Sequence, residues 1–177
     1  GEREGRGEEG QGGKLEHHIK QARAAGKGRV LDVGCGWGSL LDRLIKEHGG
    51  SQAVGLTLSD EQAAYVRARA PQNMEVCLED WRDHQPEAPY DAIISIGALE
   101  HFVKPEEDDK SRVRTYRDFF KRCRDLLVPG GRLSLQTSAY SVGDFVKSAV
   151  ADIFPESDMP RLPQLVEASE GVLEMVG

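Results

Sequence analysis

The feature that most constrains the fold is an apolar segment that leads directly into three glycines at alternate positions. The segment reads VLDVGCGWG over residues 30–38, and residues 37–48 continue with apolar side chains at helical spacing. The apolar run is typical of a buried strand, while Gly34, Gly36 and Gly38 allow a tight turn that a ligand can approach closely. This order of strand, glycine-rich turn and helix N-terminus predicts a binding turn for a nucleotide-like ligand.

Strand and helix signals alternate along the rest of the chain. Strand signals lie at 29–33, 52–58, 74–78, 90–95 and 132–136, and helix signals lie at 14–24, 37–48, 112–127 and after the cap residue Ser59. Such alternation builds βαβ units with right-handed crossovers and parallel neighbouring strands. We therefore predict an α/β fold of Rossmann-like type, a mostly parallel, doubly wound sheet with the ligand at its carboxyl edge.

Length and composition fit one domain behind a charged N-terminal segment. In the 177-residue chain, residues 1–13 are rich in glycine and charge and predict a flexible tail, which leaves residues 14–177 as the domain. The net charge of -7 argues against a nucleic-acid partner, and no apolar run reaches the roughly 20 residues of a transmembrane helix. Three cysteines without metal-ligand spacing predict no metal site and a cytoplasmic location.

The glycine spacing argues against a dinucleotide cofactor. The dinucleotide fingerprint is G-x-G-x-x-G, whereas residues 34–38 read G-x-G-x-G. An NAD site also requires an acidic residue near the end of the second strand, and no acid occurs there before Asp60.

Five segments carry a resemblance to a known family. They read LDVGCGWGSLLDRLIKEHG, VGLTLSDEQAAYVRAR, DAIISIGALEHF, FFKRCRDLLVPGGRLSLQT and IFPESDMPRLPQLVEASEG, in that order. Together they extend over nearly all of residues 14–176 and resemble the cyclopropane-fatty-acid synthase family, which includes the mycolic acid cyclopropane synthases. The resemblance implies a class I methyltransferase with S-adenosylmethionine as its cofactor. It also implies methyl transfer to an alkene carbon of a lipid, polyketide or isoprenoid-like substrate.

The resemblance implies a cofactor site spread over several strand ends. The implied residues are Asp32, Gly34, Cys35 and Gly36 for the methionine part, Thr57, Leu58 and Gln62 for the ribose segment, Asp80 and Trp81 for adenine, and Ile96 at the fourth strand. Three of these assignments have a structural alternative. Asp32 fits the role of a structural acid at a strand end equally well. Gln62 also fits the capping-box partner of Ser59, and Trp81 also fits a core residue.

The segment SIGALEHF carries the implied catalytic residues. An alkene is a weak nucleophile, and its attack on a methyl group leaves a carbocation that a nearby carboxylate can stabilise. Glu100 is the carboxylate that matches the family; its alternative role is a structural acid at a helix N-terminus. His101 is read either as a packed histidine or as a helper in catalysis.

The chain departs from the family pattern at three places. The family holds a bicarbonate ion partly through a His at the end of the fifth strand, where this chain has Gln136, an amide that cannot take up a proton. The family's Tyr/Cys segment before the first helix has no counterpart. Residues 172–176 predict the start of a sixth strand, and the chain ends there. We therefore expect a doubtful bicarbonate site, a C-terminally incomplete domain, and a sheet edge that an oligomer or partner chain covers.

Apolar residues recur at helical spacing through residues 142–154. In the family this region lines the acyl pocket, so the implied partner is an apolar small molecule or acyl chain, and peripheral membrane contact is compatible with it. Two other functions stay open: an N- or O-methyltransferase of a small metabolite, and a non-catalytic cofactor-binding subunit that needs a partner.

Overall fold

The structure is a computed structural model and describes residues 2–26, 28–49, 52–137 and 160–176. It contains a five-stranded sheet with helices. The strands are β1 Arg29–Val33, β2 Gln52–Thr57, β3 Met74–Leu78, β4 Tyr90–Ile96 and β5 Leu127–Gln136. The helices are α1 Glu2–Gln21, α2 Ser39–Glu47, α3 Asp60–Arg69, α4 Asp109–Leu126 and α5 Leu162–Ser169, with a 3₁₀ turn over Leu99–His101. The strand order is β3-β2-β1-β4-β5.

Strand β1 lies at the centre of the sheet. It pairs in parallel with β2 and with β4, and β2 pairs in parallel with β3. Asp32 of β1 is in register with Gly55 on one side and with Ile94 on the other. The chain adds strands to one side of β1 and then to the other, which creates a switch point between β1 and β4. The structure confirms the predicted α/β fold of Rossmann-like type.

The sheet and the first three helices belong to one compact unit, residues 1–95 and 127–135. Its central strands are buried along most of their length, as expected for near-continuous apolar runs in a parallel sheet. Leu31 and Leu56 are fully buried, and Leu41 of α2 packs into the same core.

A second compact unit is formed by residues 96–126 and 136–177. Its core residues include Phe119, which is completely buried in α4. The Nε2 atom of Gln164 in α5 donates a hydrogen bond to Oδ1 of Asp109 in α4, at 2.7 Å. This bond links the first turns of the two helices.

The N-terminal segment differs from the prediction of a flexible tail over residues 1–13. In the structure α1 is helical from Glu2 onward. Leu15 and Ile19 are buried and anchor the later turns of α1. Adding turns to an anchored helix requires no new nucleation, which explains how a glycine-rich segment extends it. The domain boundary at residue 14 stays a prediction.

Helix α1 is connected to β5 by two hydrogen bonds. His18 Nδ1 and Ser134 Oγ are 2.8 Å apart, and both residues are buried. Nη1 of Arg132 also donates to the carbonyl of Gln21, at 3.5 Å. The first of these bonds joins residues that are 116 positions apart in the chain.

Strand β5 begins at Leu127, immediately after α4, and not at residue 132 as predicted. The Pro-Gly-Gly segment at residues 129–131, which falls between the predicted helix and the predicted strand, lies inside β5. Gly130 has a φ of 78°, a value that glycine adopts without steric cost.

The predicted sixth strand at 172–176 is absent from the described part of the chain. The N–H groups of Val172 and Leu173 donate to the carbonyl of Ser169, at 3.0 and 3.1 Å. These bonds close a turn after α5, and the N–H groups used there are not available to a strand. The apolar helix predicted over 142–154 lies outside the described residues. Among the described helices, none has the length and apolar character that a membrane crossing requires.

Candidate cofactor site and candidate catalytic segment

The turn between β1 and α2 is built on three glycines in the left-handed region. Gly34, Gly36 and Gly38 have φ values of 83°, 54° and 87°. The N–H groups of Gly34 and Cys35 donate to the carbonyl of Leu56 in β2, at 3.0 and 2.9 Å. A Cβ atom at Gly36 would meet no atom within 4 Å, so the turn has open space beside this residue. The geometry fits close approach by a ligand at Gly36.

Gly55 of β2 explains how the turn can pack against the neighbouring strand. A Cβ atom at Gly55 would lie 2.8 Å from Cβ and Sγ of Cys35 and 2.7 Å from Cδ1 of Leu41. Only a glycine fits there without displacing the turn. Sequence reasoning missed this residue, although a glycine inside a strand is a known sign of close approach.

Asp32 and Cys35 flank the start of the glycine turn, and both are buried. Burial raises the pKa of the Asp32 carboxyl to about 7. Burial, and then the charge of Asp32, raises the pKa of the Cys35 thiol to about 12. Cys35 therefore stays a thiol at neutral pH, while Asp32 exchanges its proton near neutrality. The role of Asp32 in supporting the turn stays a prediction.

The segment after β2 is organised by the hydroxyl of Thr57. This hydroxyl donates to Oε1 of Gln62 at 2.8 Å and accepts from the N–H of Ser59 at 3.1 Å. Ser59 caps α3, since its Oγ accepts from the N–H of Gln62 at 3.3 Å. With its oxygen used by Thr57, the Gln62 amide has N–H donors left to offer. Leu58, between these residues, is 73% exposed.

Asp80 and Trp81 follow the end of β3, and Arg82 contacts both of them. Oδ1 of Asp80 accepts from the backbone N–H of Arg82 at 2.8 Å and from its Nη1 at 3.2 Å. Cζ of Arg82 lies 4.2 Å from the centroid of the Trp81 ring, and Trp81 is only 5% exposed. The assignment of Asp80 and Trp81 to adenine stays a prediction. Sequence reasoning missed Arg82.

A cluster of Cys77, Glu79 and His84 flanks this pair, with ligand-type atoms within 4.8 Å of one another. Nδ1 of His84 lies 2.6 Å from Oε1 of Glu79, and its Nε2 lies 2.8 Å from the hydroxyl of the buried Tyr90. Burial, and then the neighbouring glutamates, raises the pKa of Cys77 to about 11, so its thiol keeps its proton at neutral pH. These contacts fix the loop that follows β3.

The candidate catalytic segment lies in the second compact unit. Glu100 and His101 belong to the 3₁₀ turn that follows β4; Glu100 is half-buried and His101 is exposed. The N–H of Gly97 donates to the carbonyl of Gln136, at 2.8 Å, which brings the end of β5 beside the start of this segment. Ile96 ends β4 next to Gly97. The structure thus brings Ile96 and Gln136 together, with Glu100 a few residues away in the chain.

Comparison with known proteins decides the family. The family model described as mycolic acid cyclopropane synthetase matches residues 3–176. The chain belongs to the mycolic acid cyclopropane synthetase family.

Several members of this cyclopropane synthetase family are similar to the chain. Cyclopropane mycolic acid synthase 2 of Mycobacterium bovis is 32% identical over 156 residues, which cover 77% of this chain and 50% of that protein. Hydroxymycolate synthase MmaA4 of Mycobacterium tuberculosis is 33% identical over 161 residues, 80% of this chain and 50% of that protein. The chain spans about half the length of these curated relatives.

A solved structure of the family shows the same fold. The crystal structure of mycolic acid cyclopropane synthase CmaA1 complexed with SAH and CTAB is 28% identical and superimposes with a TM-score of 0.79. The match covers 96% of this chain and 62% of that one. In this chain, the predicted cofactor residues of the first compact unit lie at the carboxyl ends of β1, β2 and β3, which are adjacent strands.

Proposed function

We propose that this chain binds S-adenosylmethionine across the carboxyl ends of β1, β2 and β3 and transfers its methyl group to an alkene carbon. The observation that carries the proposal is the order of three groups on three adjacent strands: the glycine turn, the Thr57–Gln62 pair, and the Asp80–Trp81 pair. Strands about 4.8 Å apart separate the outer two groups by about 10 Å. This separation suits a ligand whose amino acid, ribose and base lie side by side.

Each group offers chemistry that suits one part of that ligand. The open space at Gly36 admits the methionine part, and the N–H donors of Gln62 suit the ribose hydroxyls. The carboxylate of Asp80 can accept from the amino group of adenine, and the exposed side chain of Leu58 is available to cover the base. When bound, the cofactor supplies an electrophilic methyl group on a sulfonium.

Glu100 is the proposed catalytic residue. The π electrons of the alkene form the new bond to the methyl carbon while the bond from carbon to sulfur breaks, and the positive charge moves to the neighbouring alkene carbon. A half-buried carboxylate stabilises such a charge more strongly than one in bulk water, because the local dielectric is lower. The cation then loses a proton from carbon to a water molecule, which completes the reaction. His101 is assigned a helper role.

The described residues do not fit the bicarbonate site implied by the resemblance. Gln136 is exposed and carries a neutral amide, whereas a protonated His would offer a charged donor to the anion. Proton loss is therefore not assigned to a bicarbonate ion.

The proposed substrate is an apolar small molecule or acyl chain. Support comes from the related CmaA1 structure, which holds CTAB, an amphiphile with a long alkyl chain. We further propose that β5, at the edge of the described sheet, is covered by a further strand or a partner chain. The buried free thiols of Cys35 and Cys123 favour a cytoplasmic location.

Thermal unfolding with S-adenosylhomocysteine tests the cofactor assignment. At a hundredfold excess over its dissociation constant, the ligand should add about 2.7 kcal/mol to the free energy of unfolding, and NAD should add nothing. Gly36→Val should abolish this stabilisation by filling the ligand's space. Gly49→Val is the matched control, because Gly49 also has a positive φ, 61°, and open space but lies after α2. Stabilisation by NAD alone would contradict the proposal.

Turnover assays separate the alternatives. Incubation with methyl-labelled cofactor should transfer label into a lipid extract. Label in a small-metabolite extract alone would indicate an N- or O-methyltransferase. Binding of S-adenosylhomocysteine without transfer to either extract would indicate a non-catalytic subunit.

A further inference from the structure

We propose that Arg82 covers the adenine subsite in the cofactor-free protein, so that its guanidinium group must move away before adenine binds. This inference rests on the proposed function, which assigns Asp80 and Trp81 to adenine. It adds a residue that sets cofactor affinity by competing for the site.

The contacts of Arg82 use both groups that adenine would need. Its Nη1 lies 3.2 and 3.3 Å from the two carboxylate oxygens of Asp80, so the acceptor for the adenine amino group is engaged. Its Cζ lies 4.2 Å from the centroid of the Trp81 ring, so the guanidinium covers one face of the indole. One residue therefore occupies the hydrogen-bond acceptor and the stacking face at the same time.

Arg82 and a stacked base cannot occupy this position together. Two flat groups in contact need about 3.5–4.0 Å between their carbon atoms, which is the space that the guanidinium already fills over Trp81. The arginine can nevertheless leave at low cost, since its side chain is 47% exposed and that of Asp80 is 28% exposed. Its charge regains water as it moves outward.

The competition lowers the apparent affinity for any adenine ligand. When only a fraction of the protein has an open subsite, the apparent dissociation constant is the intrinsic one divided by that fraction. The Arg82–Asp80 pair is partly exposed and the cation–π contact is of ordinary strength, so each contributes a modest preference for the covered state. We expect removal of Arg82 to tighten binding of S-adenosylhomocysteine about 3- to 10-fold.

Isothermal titration of S-adenosylhomocysteine into the wild-type chain and Arg82→Ala tests this inference. Arg124→Ala is the matched control, because Arg124 also makes an exposed contact with a neighbouring aspartate, Asp125, at 3.4 Å in α4. Arg82→Ala should bind more tightly, and Arg124→Ala should bind like the wild type. If Arg82→Ala does not fold, Arg82→Gln removes the same charge and is measured in its place.

Two further measurements identify the subsite. S-ribosylhomocysteine lacks adenine, so its affinity should be the same in wild type and Arg82→Ala. Added salt should strengthen S-adenosylhomocysteine binding to the wild type by screening the Arg82–Asp80 pair, and this effect should vanish in Arg82→Ala.

The outcomes distinguish the inference from the proposed function. Equal or weaker binding of S-adenosylhomocysteine by Arg82→Ala would overturn the inference and leave the proposed function standing. A tighter complex for both ligands would also overturn it, because the effect would not belong to adenine. Absence of S-adenosylhomocysteine binding to every variant would overturn the proposed function itself.

Discussion

Thr57 donates its hydroxyl hydrogen to the side-chain oxygen of Gln62, with 2.8 Å between the two oxygens, and so joins the end of β2 to the first turn of α3. The hydrogen bond fixes which end of the Gln62 amide is used by the protein. It leaves the N–H groups of the amide free to donate to a ligand, and the hydroxyl oxygens of a ribose can accept these hydrogen bonds.

Thr57→Val should therefore weaken cofactor binding without unfolding the chain. Valine has nearly the shape of threonine at this buried position but lacks the hydroxyl, so Gln62 loses its orientation. We expect affinity for S-adenosylhomocysteine to fall about 5- to 10-fold and stability to fall by about 1 kcal/mol. Ser59→Ala is the control, since it removes the cap of α3 at a similar cost in stability. Equal losses of affinity in both variants would contradict the role of Thr57.

Gly55→Ala should be among the most damaging single-methyl changes in the sheet. The added carbon would overlap Cys35 and Leu41 at separations below 3 Å. Overpacking of this kind costs about 1–3 kcal/mol of stability, and the overlap is removed only if the glycine turn moves. Urea unfolding should show the lost stability, and titration should show weaker S-adenosylhomocysteine binding. Wild-type stability in Gly55→Ala would show that the glycine turn can accommodate the added methyl group.

Asp32 should make the stability of the cofactor-free chain fall between about pH 4 and pH 7. Its folded-state pKa, about 7, is raised from 3.8, so in this interval the folded state binds a proton that the unfolded state does not. Above pH 7 the penalty of the buried charge is complete, roughly 4 kcal/mol. Asp32→Asn should remove the penalty, so its advantage over the wild type should grow from pH 5 to pH 8 in urea unfolding. Profiles of unfolding free energy against pH that run parallel for the wild type and Asp32→Asn would exclude this effect. Asp42→Asn on α2 serves as the control.

Glu100→Gln should slow methyl transfer while cofactor binding stays nearly unchanged. Loss of a well-placed electrostatic contact typically lowers the rate about 100- to 1000-fold. Turnover with labelled cofactor and titration with S-adenosylhomocysteine measure the two effects separately. Glu106→Gln, an exposed position beyond the 3₁₀ turn, should leave both unchanged. Loss of the fold or of cofactor binding in Glu100→Gln would instead support a structural role for this carboxylate.

Gln136 should favour simple methylation of the alkene over ring closure. The carbocation becomes a cyclopropane if the proton leaves from the new methyl group, and a methylated alkene if it leaves from a neighbouring carbon. A neutral amide does not supply the charge that would hold a proton-accepting anion near the methyl group. Proton NMR of the product decides, because ring methylene protons resonate at unusually high field. Such signals from the unmodified chain would refute the prediction.

Three of the five strands could be predicted almost to the residue. The strands expected at 29–33, 74–78 and 90–95 appear as Arg29–Val33, Met74–Leu78 and Tyr90–Ile96. Apolar runs bounded by glycine, proline or polar residues leave few alternatives in a parallel sheet. The start of α1 and the start of β5 could not be predicted in this way, because glycine-rich segments carry no periodicity and take their structure from what they adjoin.

The candidate site was predictable in its positions but not in its contacts. The Ser59 cap is confirmed, since its oxygen accepts from the Gln62 N–H, but the side chain of Gln62 turns to Thr57 and does not complete the capping box. Spacing alone cannot decide between two nearby partners. Arg82 was missed for a related reason, because its contacts with residues immediately before it depend on the direction of its side chain.

The hydrogen bond between His18 and Ser134 has a consequence for the order of folding. It joins residues 116 positions apart, so α1 can dock on β5 only after most of the chain has been synthesised. Closing a loop of this length costs entropy that local contacts do not, which places this docking late in folding. Until then His18, which is buried in the finished protein, lacks its partner Ser134.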